Sequence, residues 1–141
     1  MDQTEKLLQT SYKTARMGAQ AIGAVLTKTE NREMRNRLVS HLSSYDDLSD
    51  QTLRELTNRG EEPKENMLTE AMSDIAIQVK TGMEKEPTKL AEMLMNGAVM
   101  GIVENTRAMK IYPEAQPVSQ DLAGKVANLC QTVFDDMKTF L

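Results

Sequence analysis

The sequence predicts an all-α protein, and three observations carry that reading. Apolar residues recur at helical spacing over long windows, strand-like alternation is absent, and the four prolines fall at 63, 87, 113 and 117, between those windows. The 141 residues are enough for one domain, 1–141, with a core of its own. With 40% apolar and 27% charged residues, the composition is that of a globular chain.

A first helix is predicted over residues 4–27, capped by Asp2 or Thr4 with acids in its first turn. Leu8, Tyr12, Ala15, Gly18, Ala19, Ile22, Val25 and Leu26 share one face. The small residues at its middle invite close approach by a neighbouring helix, or else leave a ligand cavity. Residues 28–31 form a turn so short that the next helix must be an antiparallel neighbour. That second helix is predicted over residues 31–58 and stops at Gly60. Met34, Leu38, His41, Leu42, Tyr45, Leu48, Ser49, Thr52, Leu53 and Leu56 line its inner face.

A polar connector around Pro63 leads to a further helical segment over 66–83, with Met67, Leu68, Ala71, Met72, Ile75 and Val79 on its apolar side. Gly82 and Pro87 bracket a break, since proline ends a helix yet suits the first turn of a new one. This segment is expected to act as a crossover along the bundle, leaving the first and third long helices parallel.

The stretch 88–112, TKLAEMLMNGAVMGIVENTRAMKIY, is apolar or small on most of its circumference. It is therefore expected to be the helix around which the others pack. With Leu90 as the reference and about 100° per residue, Leu90, Met93, Leu94, Gly97, Gly101, Ala108, Ile111 and Tyr112 fall on an inward line, with Glu104 and Asn105 among them. Gly97 and Gly101 each cost about 1 kcal/mol relative to alanine inside a helix. Both are expected where another helix comes close. Their spacing matches a membrane dimer motif, but Asn96, Glu104 and Arg107 interrupt the apolar run too early for a span. Val99 and Val103 break the otherwise wet face. Pro113 and Pro117 then force a turn, and a fourth helix runs from Ser119, as its N-cap, to the C-terminus. Leu122, Val126, Leu129, Cys130, Val133, Met137 and Phe140 form its buried line.

The net charge is −4. Arg32, Arg35 and Arg37 are interleaved with Glu30 and Glu33, which reads as a solvated helix face and not as a nucleic-acid surface. One cysteine excludes an internal disulfide framework and fits a reducing compartment. The start MDQTEKLLQT has no signal-peptide pattern, so a cytoplasmic location is the expectation.

Two long helices, a crossover and two more long helices resemble the ferritin-like superfamily, in its small bacterial members. The stretches that carry the resemblance are AEMLMNGAVMGI at 91–102, LVSHLSSYDDLSDQTLRELTNRGEEP at 38–63 and FDDMKTFL at 134–141. It implies an up-down four-helix bundle with an extra crossover helix between the second and third helices. Metal-binding members of such folds need a Glu from each of two helices and a Glu-x-x-His from each of the other two. Here Ala15, Gly18, Ala19 and Ile22 occupy the ligand levels of the first helix, and Leu38 stands three before His41. The corresponding turn of the fourth helix reads Cys130, Gln131, Thr132, Val133. The chain has a single histidine. No metal, cofactor or catalytic set is therefore expected.

The remaining candidates are an inward polar cluster and a contact surface. His41 and Tyr45, one turn apart, are an acid/base or ligand pair or, in the plainer reading, an imidazole bonded to a phenol or carboxylate. Glu104 and Asn105 are expected to point inward, with His41, Tyr12 or Tyr45 as partners of the carboxylate. Cys130 reads as a small core residue. Seven of the eleven methionines fall at 67, 72, 83, 93, 95, 100 and 109. They fill the core or line an adaptable surface, for which Met95, Val99 and Val103 are the candidates. The leading expectation is a bundle that works through protein contacts as a homo-oligomer. The alternatives are a binding module for a small apolar ligand in a Met-lined pocket, and a degenerate metal protein using Glu104, His41 and Asp136.

Overall fold

The computed structural model describes residues 2–64 and 86–141. Their regular structure is helical throughout, with no strand among the described residues. The elements are α1 (Gln3–Leu26), α2 (Arg32–Asn58), α3 (Pro87–Ile111) and α4 (Pro117–Met137), followed by a 3₁₀ turn at Lys138–Phe140. The helical segment expected over 66–83 lies outside the described residues.

Each boundary has a local cause. The Asp2 carboxylate caps α1 by accepting from the Glu5 N–H at 2.9 Å. Asn31 caps α2 in the same way through the Met34 N–H at 2.9 Å. Gly60, at φ +75°, closes α2. The N–H of Gly60 reaches the Thr57 carbonyl and that of Glu61 the Leu56 carbonyl, both at 2.9 Å, which satisfies two carbonyls of the last turn. Pro87 and Pro117 each occupy a first turn, where their fixed φ is helical and their missing N–H costs nothing. That corrects the expected start of the fourth helix. Pro117 begins it, and Ser119, already inside the first turn, turns its hydroxyl back to the Gln116 carbonyl at 2.7 Å.

Side-chain bonds between the helices fix their directions. Arg16 meets Asp46 at 3.5 Å while Arg35 reaches the Leu26 carbonyl at 2.9 Å, so α1 and α2 are antiparallel neighbours as expected. Gln120 bonds the Met109 carbonyl, and Thr88 bonds the Phe140 carbonyl at the far end, so α3 and α4 are antiparallel. Ser11 and Thr14 meet Asn105, while Gln3 bonds the Glu114 N–H. Thus α1 and α3 are antiparallel, not parallel as the sequence reading supposed. The reason lies in where the chain stands on either side of the connection. Lys64 binds Gln9 near the start of α1, whereas Thr88 sits by Phe140 at the opposite end. With Lys64 at one end and Thr88 at the other, α3 runs in the same direction as α2.

The main core joins α1, α2, α3 and α4 through residues such as Leu8, Ile22, Leu38, Leu56, Leu94 and Val126. A smaller cluster of Leu7, Ala108, Ala115 and Ala123 closes one end. Both α1 and α4 pack against all three other helices, whereas α3 packs chiefly on α1 and α4. Among the described helices, the stretch 88–112 is therefore a flank and not the axis around which the others pack.

Candidate functional site

Three separate sets of polar side chains link the helices in the interior, at different levels of the bundle. At one end, Arg37 and His41 are one turn apart on α2 and face the last turn of α4. The His41 Nε2 lies 2.6 Å from Asp136 Oδ2, and the Arg37 guanidinium bonds Asp136 Oδ1. Arg37 also meets Glu33 at 2.9 Å and lies over the Phe140 ring. Burial pushes the Asp136 carboxyl up, but the hydrogen bonds and charges of His41 and Arg37 together outweigh it, leaving the group below the usual carboxylate range. Among the described residues no hydroxyl or thiol hydrogen-bonds to the imidazole. The set ties the C-terminal turn of α4 to α2, and it lacks a nucleophile to activate.

At mid-height the Tyr45 hydroxyl donates to Cys130 Sγ at 3.3 Å, with both residues almost fully enclosed. Burial raises the pKa of both groups, so the thiol is protonated and inert as a nucleophile. The Tyr45 ring fills the space before Gly18, where an added Cβ would lie 2.5 Å from ring carbon. That accounts for the glycine at position 18. His41 and Tyr45, grouped by sequence, thus turn to different partners on α4.

The third set is centred on Asn105, which is fully enclosed. Its Nδ2 donates to Thr14 Oγ1 at 2.8 Å and to the Gly101 carbonyl at 2.9 Å, and its Oδ1 accepts from Ser11 Oγ at 3.1 Å. The Thr14 hydroxyl in turn donates a hydrogen bond to the Thr10 carbonyl at 3.1 Å. Glu104 does not join this set. Its side chain is 41% exposed and lies 3.8 Å from Lys13, so the expected inward carboxylate is a rim ion pair. The reason is rotational: the buried residues Leu94, Ala98, Gly101 and Asn105 centre the inner face about 50° away from the Leu90 reference, on the side opposite Glu104.

The same rotation leaves an apolar strip on the outside of α3. Val99, Met100, Val103 and Ile111 are exposed by 43%, 62%, 44% and 56%. Met95, grouped with them by sequence, is half-buried and packs on the main core. Gly97 is also exposed, with nothing within 4 Å of an added Cβ, so only Gly101 of the glycine pair marks a close approach. Beside the strip is an open depression of about 450 Å³ lined by Ile102, Val103, Thr106, Arg107, Lys110 and Ile111. No described helix is long and apolar enough to cross a membrane.

The paired metal centre that the resemblance brings to mind is not matched by this side-chain set. Ala15, Ala19 and Ile22 fill the levels where α1 would supply a ligand. Among the described residues no three His, Cys, Asp or Glu side chains converge. Sequence reading missed Ser11, Thr14 and Arg37 as the partners that satisfy the interior. Comparison with family models, with curated proteins and with solved structures returns no match.

Proposed function

We propose that this chain is a ferritin-like bundle with one crossover between α2 and α3, and that it works by protein contact and not by chemistry in its interior. The directions of the four helices support the crossover, because α2 and α3 run the same way. The observation that carries the contact reading is the line of half-exposed valines and methionine along the outer face of α3. Singly exposed apolar residues are ordinary, but a contiguous strip on one helix is the signature of an interaction surface. The interior supports the same reading from the other side. Each of the three buried polar sets is closed on its own partners among the described residues.

The partner in this proposal is a further copy of the chain, so the assembly is a homo-oligomer. Sedimentation at tens of micromolar tests it. Wild type is expected to exceed the monomer mass, and Val103→Glu is expected to sediment as a folded monomer. A clean monomer for wild type overturns the reading. A separate apolar ligand site within the bundle gains no support at the small-residue stretch of α1, where the Tyr45 ring already occupies the space.

A further inference from the structure

The outer face of α3 has an order that specifies how two copies would meet. Glu92, Val99, Val103 and Lys110 lie within about 40° of one another on the helix circumference, given about 100° per residue. All four are exposed. Their spacings along the chain are 7, 4 and 7 residues, which read the same in either direction. The midpoint of Val99 and Val103 is residue 101, and so is the midpoint of Glu92 and Lys110. The strip is thus apolar in the centre, acidic at one end and basic at the other.

We infer that α3 pairs with α3 of a second copy, antiparallel, about a two-fold axis level with residue 101. This deepens the contact reading above and rests on it. In that register Val99 of each copy faces Val103 of the other, and Glu92 faces Lys110. Met100, the most exposed of the three central apolar residues, lies beside the axis. The depression next to Val103 receives Val99 from the second copy. A two-fold interface must be self-complementary, each residue meeting its counterpart reciprocally, and a palindromic strip meets that demand. Charge selects the direction. Parallel pairing would set Glu92 against Glu92 and Lys110 against Lys110. Within the chain Glu92 contacts Lys89 at 3.6 Å, and Lys110 has no acid partner among the described residues. The end pairs can close only if the helices cross at the shallow angle of about 20° common to bundles.

Charge reversal and directed cross-linking test the pairing on the full chain. Glu92→Lys and Lys110→Glu are each expected to raise the dimer Kd about tenfold, through two symmetric ion pairs. The double variant is expected to return to within about threefold of wild type. In a second measurement, Val99→Cys and Val103→Cys proteins of different tag mass are mixed and oxidised. The one native thiol, Cys130, is buried and leaves a clean background. The mixed disulfide is expected to dominate. Same-site disulfides in its place overturn the antiparallel register. A dimer that ignores both charge reversals overturns this geometry while leaving the oligomer standing. A wild type that stays monomeric at hundreds of micromolar overturns both, and leaves the strip for a different chain.

Discussion

The same substitution at two glycines one turn apart on α3 should have opposite effects. At Gly97 an added Cβ meets nothing within 4 Å. Only the helix propensity changes, and Gly97→Ala should stabilise the protein by about 0.5–1 kcal/mol. At Gly101 the added Cβ would lie 2.7 Å from Cys130 Sγ and 2.9 Å from Thr14 Cγ2. Ordinary contacts between such atoms need about 3.5–4.0 Å. The neighbours must therefore give by roughly 1 Å on two sides, and both belong to helices held by their own packing. Overpacking of this kind costs about 1–3 kcal/mol. The gain of about 1 kcal/mol in helix propensity persists, so Gly101→Ala should be destabilising by up to about 2 kcal/mol. The two variants should differ by about 1–3 kcal/mol, which is the overpacking cost alone. Urea unfolding followed by far-ultraviolet circular dichroism reads the difference as a shift in midpoint at constant slope. If both variants are stabilised to the same extent, α3 does not press on Thr14 and Cys130, and its inner face is misassigned. If Gly97→Ala is instead the damaging change, Gly97 is covered, and the outward face of α3 is wrong.

Three further changes probe the interior. Asn105→Ala removes three hydrogen bonds and leaves the enclosed Ser11 hydroxyl without its acceptor, so a loss of about 2–4 kcal/mol is expected in the same assay. Asp136 has a folded-state pKa below its unfolded value of about 3.9. The stability it adds is therefore fully present above that pH and disappears as pH falls through the folded value. Urea midpoints taken from pH 6 down to pH 2 should fall more steeply for wild type than for Asp136→Asn. Ser49 Oγ is buried and has no hydrogen-bond partner among the described residues. Ser49→Ala should accordingly be neutral to about 1 kcal/mol stabilising, and a clear loss of stability would reveal a partner for that hydroxyl.

Much of the architecture was legible because apolar periodicity reports burial directly. The inner faces of α1 and α2 read from Leu8, Ile22, Leu38 and Leu56 match the buried core. So does the line from Leu122 to Met137 on α4. The third helix was harder, since apolar residues cover most of its circumference and blur the inner direction. A reference line set on Leu90 admitted Glu104, Gly97 and Ile111, all of which face outward or lie on the rim. Asn105 lies on the enclosed side of the same helix. Its partners Ser11 and Thr14 were invisible because a search for apolar faces skips short polar side chains, although those two lie on the enclosed side of α1. The sequence groups Asp136 with His41 only in the metal-protein alternative, and of that trio the structure brings together His41 and Asp136 and leaves Glu104 on the rim. Once the second and fourth helices are antiparallel, the last turn of one must lie beside the first turns of the other.

The apolar circumference of 88–112 first suggested a helix enclosed on several sides, and the fold leaves α3 on a flank. Its outward residues therefore need a different cause from core packing, and their size bounds what that cause can be. Burying a Val or Met fully is worth about 1.5–3 kcal/mol. Val99, Met100 and Val103 are about half exposed already, so each has roughly 1 kcal/mol left to gain on contact. Two copies together then gain about 6 kcal/mol from apolar burial, with some tenths more from each rim ion pair. Association itself costs at least about 4 kcal/mol, and a micromolar Kd requires a net of about −8 kcal/mol. The difference, about −3 kcal/mol, corresponds to a Kd in the millimolar range, so an assembly present at tens of micromolar must bury more than these three side chains. Ile111, 56% exposed at the C-terminal end of the same strip, is the first further residue that such an assembly would have to enclose.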